Sequence, residues 1–319
     1  MLSRREWLRL TAGASAALGL RPQLLAALQS QELITRAIPS TGERLPIIGL
    51  GGANTFSQVA RQEDFDQIGS VLQALVDGGA RVFDTAAGYG ASEEVAGQVA
   101  DGMGISNRIF WATKMNVAGG RGGGSATADP AAARAQVERS FALLRRPTID
   151  LVQVHNMGDP PTQLGILSDL KAQGRIRYLG ITTTFPAQYP LLVDVMRNEQ
   201  LDFIGIDYAV DNRTAEEEIL PLALERGIGV LVYLPFGRSR MWARIGDRSV
   251  PDWAEEFDAH TWAQFMLKFV AAHPAVTVAT PGTSDPEHML DNIAGGRGRL
   301  PTAEHLQRMV SLVGSLPSA

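Results

Sequence analysis

From Thr35 onward the chain alternates two kinds of hydrophobic pattern. Short β-branched or apolar runs predict strands at 46–50, 81–84, 109–114, 150–155, 178–182, 203–208, 229–233 and 276–280. Longer stretches of helical period stand between them. Phe65, Ile68, Leu72, Leu75 and Val76 share one helix face, and Val137, Phe141 and Leu144 share another. Several of these helices stop at a glycine (Gly78 or Gly79, Gly174, Gly227), the residue that reaches a left-handed cap at least steric cost. Buried strands alternating with one-faced helices mark a parallel α/β protein, and eight strands is the number that closes a (β/α)8 TIM barrel.

Residues 35–38, a Pro39-Ser40-Thr41-Gly42 turn and residues 45–48 predict a hairpin leading into the first strand and closing the bottom of the barrel. After the seventh strand, residues 238–259 read as a long irregular insertion, which the strand order places on the active face. Together with the 117–129 loop it would shape a substrate site, with Phe56, Phe236, Met241 and Trp242 as apolar contacts. Residues 119–124 are rich in glycine but lack the Lys-Ser/Thr of a phosphate-binding loop, so they read as a loop tip.

The first stretch has a different pattern. Ser3-Arg4-Arg5-Glu6-Trp7-Leu8-Arg9 precedes a small apolar run from Leu10 to Leu20, closed by Arg21-Pro22. The run is shorter than the roughly 20 residues of a stable membrane span. Arginine pair and run together resemble a twin-arginine export signal, with Trp7 where that motif usually carries Phe. Residues 1–30 are therefore expected to be a signal or tail, and 31–319 a single barrel domain. The resemblance implies the twin-arginine export machinery as partner and a periplasmic or exported location; a cytoplasmic one is the alternative if the signal does not function.

Composition narrows the chemistry. Among 319 residues, 45% apolar, there is no Cys, which excludes a disulfide scaffold, a thiol nucleophile and a cysteine metal site. The 29 basic and 34 acidic side chains are mixed along the chain, so no nucleic-acid surface is expected. His260, His273 and His288 lack ligand spacing, and no metal is expected.

In a parallel barrel, reacting groups sit at the C-terminal ends of the strands. Asp84, Lys114 and His155 end the second, third and fourth predicted strands, and Tyr89 follows the second. Singly, the Asp reads as a helix cap, the Tyr as surface packing and the His as a hydrogen-bonded structural residue. As a set they form a proton-delivery device. A phenol is a weak acid at neutral pH, but a neighbouring ammonium stabilises its phenolate. Lys114 supplies that charge, Asp84 keeps the buried lysine protonated, and His155 orients a carbonyl oxygen.

Asp84-Thr85-Ala86-Ala87-Gly88-Tyr89-Gly90-Ala91-Ser92-Glu93, Thr113-Lys114 and Val152-Gln153-Val154-His155 resemble the aldo-keto reductases in order and in spacing. The resemblance covers residues 35–292 and includes the segments 170–180 and Pro281-Gly282-Thr283-Ser284. It implies a nicotinamide cofactor across the C-terminal face, NADPH with NADH as the alternative, and reduction of a small aldehyde or ketone to an alcohol. Tyr89 would give the proton. Tyr233 matches the aromatic that stacks on the nicotinamide, Thr182 and Thr183 fall where the family usually has Ser-Asn holding the carboxamide, and Asn156 is expected to bind the cofactor.

Thr283, Ser284, Asp291 and Asn292 match the adenosine-binding segment. Gly205 stands where the family carries Gln, and Gly282 and His288 stand where Lys and Arg commonly hold the 2'-phosphate. Arg238 is either a replacement phosphate contact or a solvated loop arginine. The competing function is an exported binding or sensing protein that kept the barrel and lost turnover.

Overall fold

The computed structural model describes residues 31–119 and 127–318. The export-signal stretch 1–30 and most of the glycine-rich 119–124 lie outside them. A two-stranded hairpin, β1 (Thr35–Ala37) and β2 (Arg44–Pro46), precedes the sheet. The sheet strands follow in chain order as β3 (Leu50–Gly51), β4 (Val82–Asp84), β5 (Phe110–Met115), β6 (Ile149–Val154), β7 (Ile176–Thr183), β8 (Phe203–Asp207), β9 (Gly229–Tyr233) and β10 (Val276–Ala279).

Each of the eight pairs in parallel with its sequence neighbour, and bridges Ile48 to Ala279 and Gly51 to Gly282 bring β3 against β10. The Gly49 amide donates to the Ala279 carbonyl at 2.8 Å and the Gly51 amide to Pro281 at 2.9 Å, so the ring is nearly closed. This is the (β/α)8 architecture that the alternation predicts.

Local chemistry explains the elements. The helix Phe65–Asp77 starts where the Asp64 carboxylate accepts the Gln67 amide, and it buries Ile68, Leu72, Leu75 and Val76 against the sheet. Helix Pro130–Leu144 begins at a capping Asp129 with proline at its first position, and it buries Val137, Phe141 and Leu144. The expected left-handed glycines are Gly79, Gly174 and Gly227, whereas Gly78 stays helical.

Hairpin residues Ile38 and Leu45 are fully buried among Val82, Phe110, Leu151, Tyr178, Phe203 and Val278, the inward side chains at the N-terminal end. The Tyr178 hydroxyl hydrogen-bonds Thr41 and Glu43, both at 2.9 Å, tying the turn to the barrel. The hairpin thus closes the bottom.

The first predicted strand, 46–50, is shifted. Pro46 belongs to the hairpin ladder, because the chain changes partners at Ile47, whose amide reaches Ile34 in the hairpin while its carbonyl accepts from Ala279 in the barrel. The 238–259 insertion is also more ordered than expected. It forms a helix Arg240–Ile245 and a 3-10 segment Asp252–Phe257, because Met241, Ala254 and Phe257 are fully buried and Trp253 packs on Phe257 and Phe265. Among the described residues no helix is long and apolar enough to cross a membrane.

Candidate active site

Side chains two apart on a strand point the same way. The alternation that turns Val82, Ala112, Leu151 and Leu231 into the barrel therefore turns in Asp84, Lys114, Gln153 and Tyr233, the next inward position on each strand. The lower layers are apolar and the top layer is polar. Three of the four expected proton-delivery residues hold the predicted strand ends: Asp84 closes β4, Lys114 lies next to the end of β5, and His155 follows β6 in a 3-10 turn His155–Met157.

Tyr89 sits in the turn after β4. Thr85 donates to the Ser92 hydroxyl at 2.9 Å and Ser92 donates to the Gly52 carbonyl at 3.0 Å, fixing that turn against the loop after β3. The buried Glu93 accepts from Thr113 at 2.6 Å, and burial pushes its carboxyl above the usual range.

The structure brings the four together. Lys114 Nζ donates to Asp84 Oδ2 at 2.5 Å and to the Thr85 carbonyl at 2.8 Å. The same nitrogen lies 5.1 Å from the Tyr89 ring centroid and 4.9 Å from that of Tyr233. Tyr89 meets His155 edge to face, centroids 5.7 Å apart. Burial works against the Lys114 charge, but the Asp84 carboxylate, with a contribution from Tyr89, leaves its pKa above the ordinary lysine value. Burial also raises Asp84, against the opposing pull of Lys114. Lys114 thus stays protonated at neutral pH.

A cavity of about 410 Å³ opens above this cluster. Asp84, Tyr89, His155, Asn156, Thr182, Tyr233 and Arg238 line it. Asn156 is held in a left-handed conformation, with its amide on the Thr182 hydroxyl at 3.4 Å and its carbonyl accepting from Gln188 at 3.1 Å. Thr183 does not line the cavity. Its hydroxyl binds Gln188 and accepts the Phe185 amide at 3.0 Å, so Thr184 and Phe185 face the opening instead.

Arg238 bonds the Thr184 carbonyl and pairs with the buried Asp207 at 3.3 Å, so both contacts lie on the β7 and β8 side. Thr283, Ser284, His288 and Asn292 are not cavity-lining residues; Thr280 and Gly282 represent that segment. Thr283 accepts the Asp285 amide at 3.0 Å, Ser284 offers its carbonyl to Gln67 at 3.0 Å, and Asn292 is buried. The His288 side chain is 74% exposed on the helix Pro286–Ala294.

Two of the expected substrate contacts are core instead. Phe56 folds onto Phe83, centroids 4.9 Å apart, and Met241 is fully buried. Phe236 does line the cavity, and Trp242 packs against it at 5.1 Å. Sequence reasoning missed Gly51, Gly52, Asn54 and Thr55, although a glycine pair directly after the first strand was a readable signal. It also missed Gln153 and Asp207, which only the strand register brings to the top layer.

The cavity has features that fit a dinucleotide. Gly282 faces Gly51 across the β3–β10 seam, where an added Cβ would meet only the Gly51 and Ala53 carbonyls, at 3.5 and 3.8 Å. A Tyr233 ring, a Thr182 hydroxyl and an Arg238 guanidinium are a donor set suited to an aromatic ring, an amide and phosphate oxygens. Among the described residues no cluster of three or more His, Asp or Glu converges as a metal site.

The sequence profile of the aldo/keto reductase family matches residues 47–310, a span that includes every strand of the ring. The chain belongs to the aldo/keto reductase family. Within that family it is 28% identical to the aldo-keto reductase str7 of Strobilurus tenacellus over 215 residues, covering 66% of this chain and 60% of that protein. It is 27% identical to the NADH-specific methylglyoxal reductase of Escherichia coli over 210 residues, covering 60% and 63%. The match thus spans about three fifths of the length of these curated relatives. An aldo-keto reductase from Klebsiella pneumoniae, solved in complex with NADPH, superposes with a TM-score of 0.69 at 24% identity, covering 88% of this chain and 96% of that one. At that identity the likeness shows the fold.

Proposed function

We propose that this aldo/keto reductase reduces a small aldehyde or ketone to an alcohol with NADPH or NADH, Tyr89 donating the proton. One observation carries the reading: Tyr89 and His155 meet edge to face at the cavity, with the Lys114 ammonium 5.1 Å from the phenol ring and anchored on Asp84. The cofactor, when bound, supplies hydride to the carbonyl carbon. Tyr89 and His155 converge on the carbonyl oxygen, His155 orienting it and Tyr89 transferring its phenolic proton as the C–O bond gains electrons.

Lys114 stabilises the phenolate left behind, and the low-dielectric barrel top strengthens that interaction. Asp84 holds the lysine in place and charged. Asn156 and Thr182 would take the carboxamide side of the nicotinamide, Tyr233 its ring face, and Thr283, Ser284, His288 and Asn292 the adenosine end, with Gly282 and His288 supplying no fixed cation.

The test is consumption of NADPH and of NADH against a panel of small carbonyls, methylglyoxal among them. Tyr89→Phe should lower turnover by about 10²–10⁴-fold, the usual worth of a positioned general acid, with cofactor affinity retained. Undiminished turnover in that variant would remove Tyr89 as the donor. Dinucleotide binding with no carbonyl consumed would favour a binding or sensing protein.

Residues 1–30 are proposed to direct export by the twin-arginine machinery to the periplasm, leaving 31–319 as one folded unit; the Arg4-Arg5 pair and the short apolar run support this. Fusion of 1–30 to a reporter, with Arg4 and Arg5 changed to Lys in a control, tests it. Export that survives the double change would overturn it.

A further inference from the structure

Gln153 on β6 and Tyr233 on β9 meet although β7 and β8 lie between them. The Gln153 amide donates to the Tyr233 hydroxyl at 3.0 Å inside the barrel. A glycine of each intervening strand lies beside this contact, Gly180 on β7 and Gly205 on β8. Gly180 pairs in register with Gln153, and a Cβ there would lie 3.2 Å from Gln153 Cγ. A Cβ at Gly180 would first meet the Phe203 carbonyl oxygen, whereas at Gly205 the obstacle is Tyr233 itself, since an added Cβ would lie 2.5 Å from its hydroxyl oxygen and 2.7 Å from its Cζ. Only glycine leaves room for the ring. Once Gln153 donates to the hydroxyl oxygen, the phenolic proton is left to point elsewhere, and its other neighbour is Asp84 Oδ1 at 3.4 Å.

Asp84 is thus held on both oxygens, by Lys114 on Oδ2 and by Tyr233 on Oδ1. Burial, with the nearby Asp84 and Tyr89, pushes the Tyr233 phenol well above its ordinary range, so it keeps the proton that it donates. The Lys114 ammonium lies close to both rings, 5.1 Å from the Tyr89 centroid and 4.9 Å from that of Tyr233. One tyrosine faces the proposed substrate position and the other the anchor.

We propose that Tyr233 is a positioning residue: its hydroxyl, seated over Gly205 and oriented by Gln153, tethers the Asp84 carboxylate through Oδ1, the oxygen that Lys114 does not take, and so fixes the ammonium beside Tyr89. The inference rests on the proton-delivery reading of Tyr89 and goes beyond ring stacking, which needs no hydroxyl. It also explains why Gly205 stands at an inward barrel position.

Tyr233→Phe keeps the ring and removes the hydroxyl. A carboxylate that loses a donor is easier to protonate, so the Asp84 carboxyl should titrate at higher pH by about half a unit or more. Carbon-13 NMR of labelled aspartate carboxyls in the cofactor-free protein reads this directly. In turnover, the acid limb of the kcat/KM profile should move up by a similar amount, while the NADPH Kd changes little because the ring remains. Gly205→Ala, which expels the ring, should displace the Asp84 titration in the same direction. An Asp84 titration identical in wild type and Tyr233→Phe would overturn the tether whatever the enzyme's turnover. A wild-type protein that consumes no carbonyl would instead overturn the reductase reading and leave the titration result standing.

Discussion

Lys114 donates to Asp84 across 2.5 Å, and the two side chains are only 1% and 4% exposed. Removing one partner of such a pair leaves a buried charge uncompensated and typically costs about 3–5 kcal/mol, whereas replacing both by apolar groups of similar volume can be close to neutral. Asp84→Leu and Lys114→Met should each lower Tm by several degrees. The Asp84→Leu/Lys114→Met double variant should be more stable than either while remaining inactive. A double variant as unstable as the sum of the singles would show that the pair contributes little coupling.

Arg238 predicts a result for cofactor choice. Its contacts are the Thr184 carbonyl and Asp207, and its side chain is 42% exposed. Loss of such a half-exposed pair is worth at most about 1 kcal/mol, roughly five-fold in affinity. Arg238→Ala should weaken NADPH and NADH equally, because the arginine fixes the loop after β9. A loss confined to NADPH would make it the 2'-phosphate contact.

The segment after the barrel has its own pH dependence. Arg299 grips Asp258 through two side-chain hydrogen bonds, at 2.7 and 3.1 Å, and through its backbone amide at 2.8 Å. Chiefly through those side-chain bonds, the Asp258 carboxyl is held at about 2 instead of 3.8. A carboxyl depressed in the folded state adds stability that is complete above the unfolded value and is lost as pH falls through the folded one. Asp258→Asn should therefore lower Tm at pH 7 and flatten its decline between about pH 4 and 2. A parallel decline in variant and wild type would contradict this.

Helix packing beside the Tyr89 turn offers a steric test. A Cβ on Gly97, in the helix Ser92–Gly102, would lie 2.7 Å from Leu144 Cα in the next helix. Backbone cannot yield as a side-chain tip does, so Gly97→Ala should cost about 1–3 kcal/mol, the usual range for overpacking. An unchanged Tm in thermal melts would mean that the two helices slide apart freely.

The strand pattern was legible because each strand is buried on both faces and bounded by turn residues, as at Gly229–Tyr233, where expectation and structure coincide. It failed at 46–50 for a specific reason: Ile47 serves hairpin and barrel at once, and apolarity alone does not say where partners change. Asp84, Tyr89, Lys114 and His155 were readable because order and spacing tie them together. Thr182 and Thr183 were separable too, since strand alternation turns Thr182 inward with Tyr178 and Thr183 outward onto Gln188. Phe56 and Met241 read as site residues from loop position, but short helices fold both into the core. Gly205 and Tyr233 are coupled only through the register of β8 and β9, which a linear pattern does not display.

The most direct measurement is a fluorescence titration of residues 31–319 with NADPH and then NADH, read through the protein's tryptophans and tyrosines. Saturable quenching is expected, with Kd on the order of micromolar. The two affinities should lie within about ten-fold of each other, because neither Gly282 nor the exposed His288 supplies a fixed charge for the 2'-phosphate. No binding of either dinucleotide would contradict the reductase reading, leaving the barrel and its buried Lys114–Asp84 pair to serve another chemistry.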